Sequence, residues 1–454
     1  MSAGAELALA RRALGHLAGE EAQATVLRER SLVARFARSV PTQATAIDDT
    51  TVELVCVRDG HTGAASTNRL DDDGLAGAAA RARSAAAAAA RSGPGGHPGL
   101  PAPAAVPAHA GHDPATAELD PARAGAALRD AFAACTAAGL DAFGIWTAGE
   151  VRTAIASSTG IAGEDAVTDA FMKVIARSAG GRSGYASATA LAVREIDAGA
   201  LAGAAAAKVD AREPAELAPG SYPVVLDHDA VGTLLEYLGG LAFNGLAHAE
   251  GRGALSGRIG EPVAARVVTL TDAPQLPGTL PRAFDGEGVP KQAVALIDAG
   301  VARGVVHDIR SAARAGARST GHAAAPGGAP DGPLPSNLVL DGGAARSLEE
   351  LCAPIERGIY VTRFWYVNPV EPRRAVLTGM TRDGTFLIED GAITRPLRDV
   401  RFTDSALAIL AATQALSAQR RLVSEGELYG RRFAFGVLCP ALRAGAFRIT
   451  GGSP

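Results

Sequence analysis

The sequence is poor in cysteine, with only Cys56, Cys135, Cys352 and Cys439 among its 454 residues. The four lie far apart and form no Cys-x-x-Cys pair, which argues against a disulfide framework and against a zinc finger. Cysteines used this sparingly are typically small, buried apolar residues in a reducing compartment. We therefore expect free thiols and a cytoplasmic location.

Lysine is scarcer still, at positions 173, 208 and 291 only, and the formal net charge is −4 with a pI near 6.2. A general nucleic-acid binder would carry a concentrated basic surface, so no nucleic-acid partner is expected. No uncharged apolar run is long enough to span a membrane, and none at the N-terminus resembles a signal peptide. The sequence thus predicts a soluble protein without a membrane partner.

Hydrophobic patterning divides the chain into two domains of α+β class, residues 1–215 and 216–454. The first combines long alanine-rich helices with alternating strands of an antiparallel sheet. Its residues 93–116 lack periodicity and are interpreted as a loop or linker. His97, His109 and His112 lie there and are interpreted as solvent-exposed, with a His-rich metal tract as the alternative.

The second domain has many strands joined by tight turns, which predicts a β-rich, barrel-like sheet. Hairpin turns are predicted at Arg382–Thr385 and at Asp390–Gly391, because both pairs combine Asp with Gly. A helix is predicted over residues 404–417. This domain also contains the stretch with the most chemical interest.

That stretch is Pro223–Leu238, which predicts a short strand and then a helix capped by Asp227. His228 and Asp229 stand at the helix start, where a zinc ligand and a general base can be presented. Zinc usually needs three protein ligands, so His228 would need partners from elsewhere in the chain. The candidates are His248, His307, His322 and Cys439, although their spacing does not bring them together. The alternative is that these polar residues only cap the start of the helix and bind no metal.

Two glycine-flanked loops are further candidates. Ser256–Gly260 places Arg258 in a tight loop where the backbone can approach a ligand, although the phosphate-loop spacing is missing. The other loop, Asp285–Gly288, holds the carboxylates of Asp285 and Glu287. It predicts either metal or substrate binding or a solvated turn. No Gly-x-Ser-x-Gly elbow is present, which lowers the case for a serine hydrolase of that type.

The order of several motifs resembles the TldD/PmbA (TldE) family, often labelled modulators of DNA gyrase, over nearly the whole chain. The motifs are Ala64-Ala-Ser-Thr-Asn-Arg-Leu70, His228-Asp-Ala-Val-Gly-Thr233, Leu255-Ser-Gly-Arg-Ile-Gly-Glu261, Phe284-Asp-Gly-Glu-Gly-Val-Pro290, Ser319-Thr-Gly-His322, Arg357-Gly-Ile-Tyr-Val-Thr-Arg363 and Ile388-Glu-Asp-Gly-Ala-Ile393. Together and in this order they are specific, whereas any one alone would be weak.

The resemblance implies a heterodimer in which a TldD-type chain holds zinc on a His-Glu-x-x-x-His helix and a cysteine near its C-terminus. His228 matches the first ligand, but Asp229 stands in place of the catalytic Glu and Thr233 in place of the second His. The ligand cysteine would fall near Gly426, and Cys439 does not match it. The chain is therefore most similar to a PmbA/TldE-type subunit with a degenerate zinc motif.

Three functions remain open at this point. The first is a non-catalytic subunit without a metal of its own, which completes the substrate cleft beside a zinc-bearing TldD-like partner and acts on a peptide or an amide natural product. The second is an autonomous metal hydrolase that combines His228 with His248, His307 or His322. The third is a non-enzymatic regulator that binds a protein such as gyrase. Residues assigned to a substrate or partner cleft are Arg258, Asp285, Glu287, Tyr360 and Arg363.

Overall fold

The computed structural model describes residues 4–424 and 430–452. The regular elements of its first part are α1 (Ala5–Gly15), β1 (Glu21–Ala37), β2 (Val40–Arg58), β3 (His61–Thr67), α2 (Asp72–Ala90), α3 (Pro114–Ala117), α4 (Pro121–Ala137), β4 (Asp141–Ser157), β5 (Ala162–Arg177), β6 (Ser183–Ala190) and α5 (Ala198–Ala206). The strands form one antiparallel sheet in the order β3-β2-β1-β4-β5-β6.

The helices cover one face of this six-stranded sheet, because alternate strand residues such as Ala22, Ala24 and Val26 are apolar and buried against α1 and α2. The contact is close because small residues meet. A Cβ added to Gly63 on β3 would lie 2.0 Å from the backbone nitrogen of Ala86 on α2. The opposite face of the sheet carries polar residues such as Gln23 and Thr25 and faces the second part of the chain.

The second part contains β7 (Gly220–Leu226), α6 (His228–Leu241), α7 (Gly245–Ala249), β8 (Leu270–Asp272), β9 (Val294–Asp298), β10 (Val301–Ala302), α8 (Ile309–Ala315), β11 (Leu338–Leu340), α9 (Leu348–Cys352), β12 (Arg357–Glu371), β13 (Val376–Glu389), β14 (Ala392–Pro396), β15 (Val400–Ser405), α10 (Ala406–Ala411), β16 (Thr413–Val423) and β17 (Val437–Gly452). The eleven strands found in the described residues of this part belong to one sheet. The described part of the chain contains no helix long and apolar enough to cross a membrane.

Five of these strands form a closed barrel. Following the hydrogen-bonded neighbours leads from β7 to β12, β13, β15 and β17, and β17 pairs with β7 again. Phe364, Phe402 and Phe447 pack together in its core, with ring centroids 4.5–5.8 Å apart. The predicted α+β class with a barrel-like C-terminal sheet is confirmed, and the boundary predicted at residue 215 falls between α5 and β7.

The segment 93–116 lacks regular structure before α3, but its histidines are not in solvent, so that prediction was wrong. His97 is buried, and His109 lies 2.6 Å from a carboxylate oxygen of Asp165. His112 lies 2.7 Å from Glu150 on β4. The segment is therefore fixed against the sheet, a fact that composition alone does not reveal.

Two local predictions in the second domain also fail. Arg382–Thr385 is not a hairpin, because β13 runs straight through it with a local irregularity, Asp383 and Gly384 having positive φ. The helix predicted over 404–417 ends at Ala411, and Thr413 begins β16. Here the pairing of β16 with β17 outweighs helical propensity. The Asp390–Gly391 turn joins β13 to β14 as predicted.

Candidate functional site

The start of α6 carries the predicted motif, and Asp227 organises it. Its carboxylate accepts hydrogen bonds from the backbone N–H of His228 at 2.9 Å and from the Tyr360 hydroxyl at 2.6 Å. It also lies 3.3 Å from the Lys208 ammonium. Burial alone would raise the pKa of Asp227, but Lys208, His228 and Tyr360 together hold it well below its ordinary value. Asp227 is therefore an ionised cap.

His228 has both ring nitrogens engaged within the chain. Nδ1 lies 2.8 Å from Asp227 Oδ1, and Nε2 lies 3.3 Å from the carbonyl oxygen of Gln419. A metal would have to displace one of these contacts, since a histidine ligand offers a ring nitrogen lone pair.

Asp229 and Thr233 lie one turn apart on the face of α6 that lines a small pocket. Asp229 accepts a hydrogen bond from Ser187 on β6, and Thr233 donates to the backbone carbonyl of Asp229 at 2.9 Å. Burial is the main cause that raises the pKa of Asp229. A threonine hydroxyl in this position is tied to its own helix and offers no imidazole.

Tyr360 and Arg363, both assigned to a cleft, lie near this helix but differ in accessibility. Tyr360 is 4% exposed, and its hydroxyl is used by Asp227. Arg363 forms an ion pair with Asp383, stacks over the Tyr185 ring at 4.4 Å, and lines the pocket beside Asp229 and Thr233. Arg363 thus faces the pocket, whereas Tyr360 is buried and stabilises the start of α6 through Asp227.

The exposed face of α6 borders a continuous set of cavities. Glu236 lines the small pocket at Asp229, a groove of 520 Å³ that continues to Tyr366, and a cleft of 500 Å³ between the two domains. The helix that carries the degenerate motif therefore borders both a groove and a cleft large enough for a ligand.

The remaining cleft assignments fall elsewhere. Arg258 is on the surface, paired with Glu261 at 3.4 Å. Asp285 lines the interdomain cleft, but its carboxylate accepts backbone N–H groups of Glu287, Val289 and Ala323 at 2.8–3.0 Å. Glu287 is fully buried and accepts from the backbone N–H of Ile309 at 3.0 Å.

Neither carboxyl lies in a solvated turn. Burial raises the pKa of Asp285 to about 6, and burial with the neighbouring charge of Asp285 raises that of Glu287 to about 9. Asp285 holds its own loop together, and Glu287 holds the start of α8.

The other histidines do not join His228. His322 lies between Asp272 and Thr320, each 2.9 Å from one ring nitrogen. His307 contacts Ser311 at 3.2 Å, and the pKa of His248 is lowered by burial. Residues 4–424 and 430–452 contain no group of three or more His, Cys, Asp or Glu side chains placed to hold a metal. The position near Gly426 lies outside these residues.

The sequence did not lead us to predict a role for any lysine in a functional site. Of the three, Lys208 is part-buried beside Asp227, and Lys291 is buried in the interdomain cleft. The available signal was their rarity in a chain that otherwise uses arginine.

Comparison with known proteins places this geometry in context. The family model described as the PmbA/TldA metallopeptidase C-terminal domain matches residues 219–451, and that described as domain 1 matches residues 22–86. A metalloprotease of Methanothermobacter thermautotrophicus is 27% identical over 45% of this chain and 44% of its own length. The metalloprotease TldD homolog of Haemophilus influenzae is 26% identical over 51% of this chain and 48% of its own. The matched stretch thus spans about half the length of these relatives.

Two solved structures share the fold over almost their entire length. TldE from Thermococcus kodakarensis has a TM-score of 0.84 at 20% identity, covering 98% of this chain and 99% of that one. A candidate modulator of a DNA gyrase from Thermotoga maritima has a TM-score of 0.82 at 19% identity, with the same coverage. The resemblance stated from the sequence is confirmed: the chain belongs to the PmbA/TldD metallopeptidase family.

Proposed function

We propose that this chain is the non-catalytic, TldE-like subunit of a heterodimeric metallopeptidase or amide hydrolase, with the zinc in a TldD-like partner chain. The observation that carries the proposal is the state of the α6 motif. Both ring nitrogens of His228 are bonded within the chain, and Thr233 occupies the place of the second histidine. These residues do not fit a zinc ion, so no catalytic step is assigned to them.

The helix nevertheless keeps a position suited to a cleft. Its Asp229, Thr233 and Glu236 side chains border the small pocket, and Glu236 continues into the 520 Å³ groove. An extended peptide, or a peptide-like amide, lying along this groove would meet the zinc of the partner chain at its end. The predicted substrate class and the cytoplasmic location both remain predictions.

The partner surface is proposed next to the same groove. Tyr366 lines the groove and is 75% exposed, and the exposed Leu334 lines the same groove. Two more exposed apolar side chains lie on β12 beside Tyr366, namely Trp365 and Val370. Exposed large apolar side chains that lie together typically mark an interaction site. Docking there would place the partner chain across the opening of the groove.

The test is to purify the chain alone, and together with a TldD-like chain from the same genome, and to measure zinc and peptide hydrolysis in each. Alone, the chain should neither retain zinc nor hydrolyse a peptide, whereas the pair should do both. Zinc-dependent hydrolysis by the lone chain would overturn the proposal in favour of an autonomous hydrolase. Stable binding to gyrase without any hydrolysis by the pair would favour a regulator.

A matched pair of variants tests the role in the cleft. Glu236→Lys reverses a charge where the three cavities meet, and it should lower hydrolysis by the pair without lowering its zinc content. Glu216→Lys reverses a charge at a side chain that is 81% exposed, and it should leave hydrolysis unchanged. Equal activity of the two variants would remove Glu236 from the substrate path.

A further inference from the structure

The interdomain cleft has the dimensions of a ligand site. Its volume is 500 Å³, within the range of about 300–1,000 Å³ typical of small-molecule pockets. One wall is the helix-free face of the six-stranded sheet, with Leu27 and Val151. The opposite wall comes from the second domain and includes Phe284 and Phe433. The walls are therefore apolar on both sides.

Most charged groups that line the cleft already have partners within the chain. Glu53 pairs with Arg431 at 2.6 Å, and Arg432 pairs with Asp169 at 2.7 Å. These pairs are complete without a ligand. Asp165 lies 2.6 Å from His109, and Asp285 is held by backbone N–H groups.

Lys291 differs from all of these. It lines the cleft and is 6% exposed, yet among the described residues its ammonium has no hydrogen bond and no ion pair. The charges of Asp272 and Asp285 act on it from a distance, while Asp272 itself bonds to His322 at 2.9 Å and to the N–H of Asn337 at 2.8 Å. A largely buried lysine is poorly hydrated, so an anion that enters the cleft would be a favourable partner for its ammonium.

Arg282 adds a second cation to the same wall. Its Nε is buried without a hydrogen-bond partner among the described residues, and its guanidinium lies 4.0 Å above the Phe433 ring. Nη2 donates to the carbonyl of Ala434 at 3.3 Å, and no other hydrogen bond of this guanidinium is found within residues 4–424 and 430–452. The positive charge of Arg282 contributes to lowering the pKa of Lys291, by less than burial does, while Asp272 and Asp285 act on Lys291 in the opposite direction.

The number of charges favours a carboxylate over a phosphate. The lining contains as many acidic as basic side chains, so a dianion would meet repulsion from Asp165, Asp285 and Glu53. A single negative charge matches the unpaired Lys291, and the apolar walls match an apolar body beside that charge. Glu236 and Leu334 line both this cleft and the groove along α6, so the two cavities are adjacent.

We propose that the interdomain cleft binds the free C-terminal carboxylate of a peptide that ends in an apolar residue. Lys291 is the main charge partner, and Arg282 is a second donor. The carboxylate site rests on the cleft alone, whereas the peptide nature of the ligand rests on the proposed function.

The experiment uses the full-length chain and two short probes, an N-acetylated dipeptide ending in leucine as the free acid and the same dipeptide as its amide. Calorimetric titration should show the acid binding at least about tenfold more tightly than the amide, because a charge-assisted hydrogen bond is lost in the amide. Lys291→Met should remove most of that difference, leaving what Arg282 contributes. Arg303→Met removes an exposed charge paired with Asp298, and it should behave as wild type.

A second measurement needs no variant. Binding of the acid by the wild-type chain should weaken as the pH rises through about 8, because burial lowers the pKa of Lys291 to that value. Of the groups that face Lys291, His322 has a pKa near 4, Asp285 near 6 and Asp272 below its ordinary value, and Arg282 stays protonated. None of them changes charge in that range. Glu287, whose pKa of about 9 is raised by burial and by the charge of Asp285, does, so the titration is repeated with Glu287→Gln, which should leave the weakening near pH 8 in place.

Equal affinity for acid and amide, or no binding of either, would overturn the inference, as would unchanged binding by Lys291→Met. These results would leave the proposed function intact, because zinc content and hydrolysis by the heterodimer are measured separately. Conversely, selective binding of the acid by a chain that never supports hydrolysis would keep the carboxylate site and remove the proposed function.

Discussion

The thiol of Cys439 donates a hydrogen bond to the backbone carbonyl of His228, with 3.4 Å between sulfur and oxygen. Cys439 is fully buried on β17, behind the helix start that carries the degenerate motif. Burial, with a smaller effect of the Asp229 charge, raises the pKa of this thiol, so it stays protonated at neutral pH. The one cysteine beside the motif therefore supports the helix backbone.

The first prediction concerns thiol reactivity. All four cysteines are free and buried, so the native chain should react with a thiol reagent such as DTNB only as fast as it unfolds. In denaturant all four should react at once. Rapid labelling of Cys439 in the native chain, located by mass spectrometry, would contradict the buried hydrogen bond.

The second prediction concerns the cap of α6. Tyr360→Phe removes a buried hydrogen bond to the ionised Asp227, which should cost about 1.5–3 kcal/mol of unfolding free energy in urea. Tyr222→Phe is the control, because its hydroxyl donates to the carbonyl of Ala218 at an exposed site. Its cost should be smaller.

The same cap has a pH signature. Because the pKa of Asp227 is lowered in the folded protein, the ionised cap stabilises the fold fully at pH values above 3.8, the ordinary pKa of aspartate. This stabilisation is lost as the pH falls below 3.8 towards the lowered pKa. Tyr360→Phe should reduce this loss on the acid side. Equal acid sensitivity of Tyr360→Phe and wild type would argue against Tyr360 as a partner of the ionised carboxylate.

The third prediction concerns Glu287. Its pKa is raised from 4.5 to about 9, so the native state binds more protons than the unfolded state between these values. The contribution of Glu287 to wild-type stability should therefore fall as the pH rises from 5 to 8. Glu287→Gln should reduce that slope and should be more stable than wild type at pH 8, as measured by denaturant unfolding. Glu216→Gln, at an exposed side chain, should keep the wild-type slope.

The fourth prediction concerns the contact between sheet and helix in the first domain. Gly63→Ala places a Cβ 2.0 Å from a backbone atom of α2, and the resulting overpacking should destabilise the domain by about 1–3 kcal/mol or more. In Gly77→Ala, on α2, the added Cβ lies 3.6 Å from the end of the flexible Arg81 side chain. This substitution should stabilise the protein by about 0.5–1 kcal/mol, because alanine favours the helix more than glycine does. Thermal unfolding of both variants tests the contrast, and equal melting temperatures would refute it.

The sequence was enough to predict the two α+β parts and the strand–helix unit at Asp227, because local rules determine these features. Alternation gives strands, and an acidic residue before an apolar periodic run gives a capped helix. The family resemblance likewise followed from motifs that are contiguous in the chain.

Features that depend on distant residues could not be predicted. His109 and Asp165 meet only because the segment 93–116 crosses the sheet, and composition describes that segment simply as irregular. The rarity of lysine singled out Lys291, but its lack of a partner could not be predicted, because it depends on where Asp272 and Asp285 direct their own hydrogen bonds. Contacts between residues that are distant in the sequence become visible only in the folded structure.

The pairing of β17 with β7 has a consequence for how the chain is made. The barrel is closed by strands at opposite ends of the second domain's sequence, so β7 lacks one neighbour until β17 has left the ribosome. The first sheet also has one distant pair, β1 with β4, but all six of its strands precede β7, so it can fold during synthesis. Until the barrel closes, the nascent chain exposes an open strand edge beside α6, so this is the stage at which a folding chaperone would have most to protect.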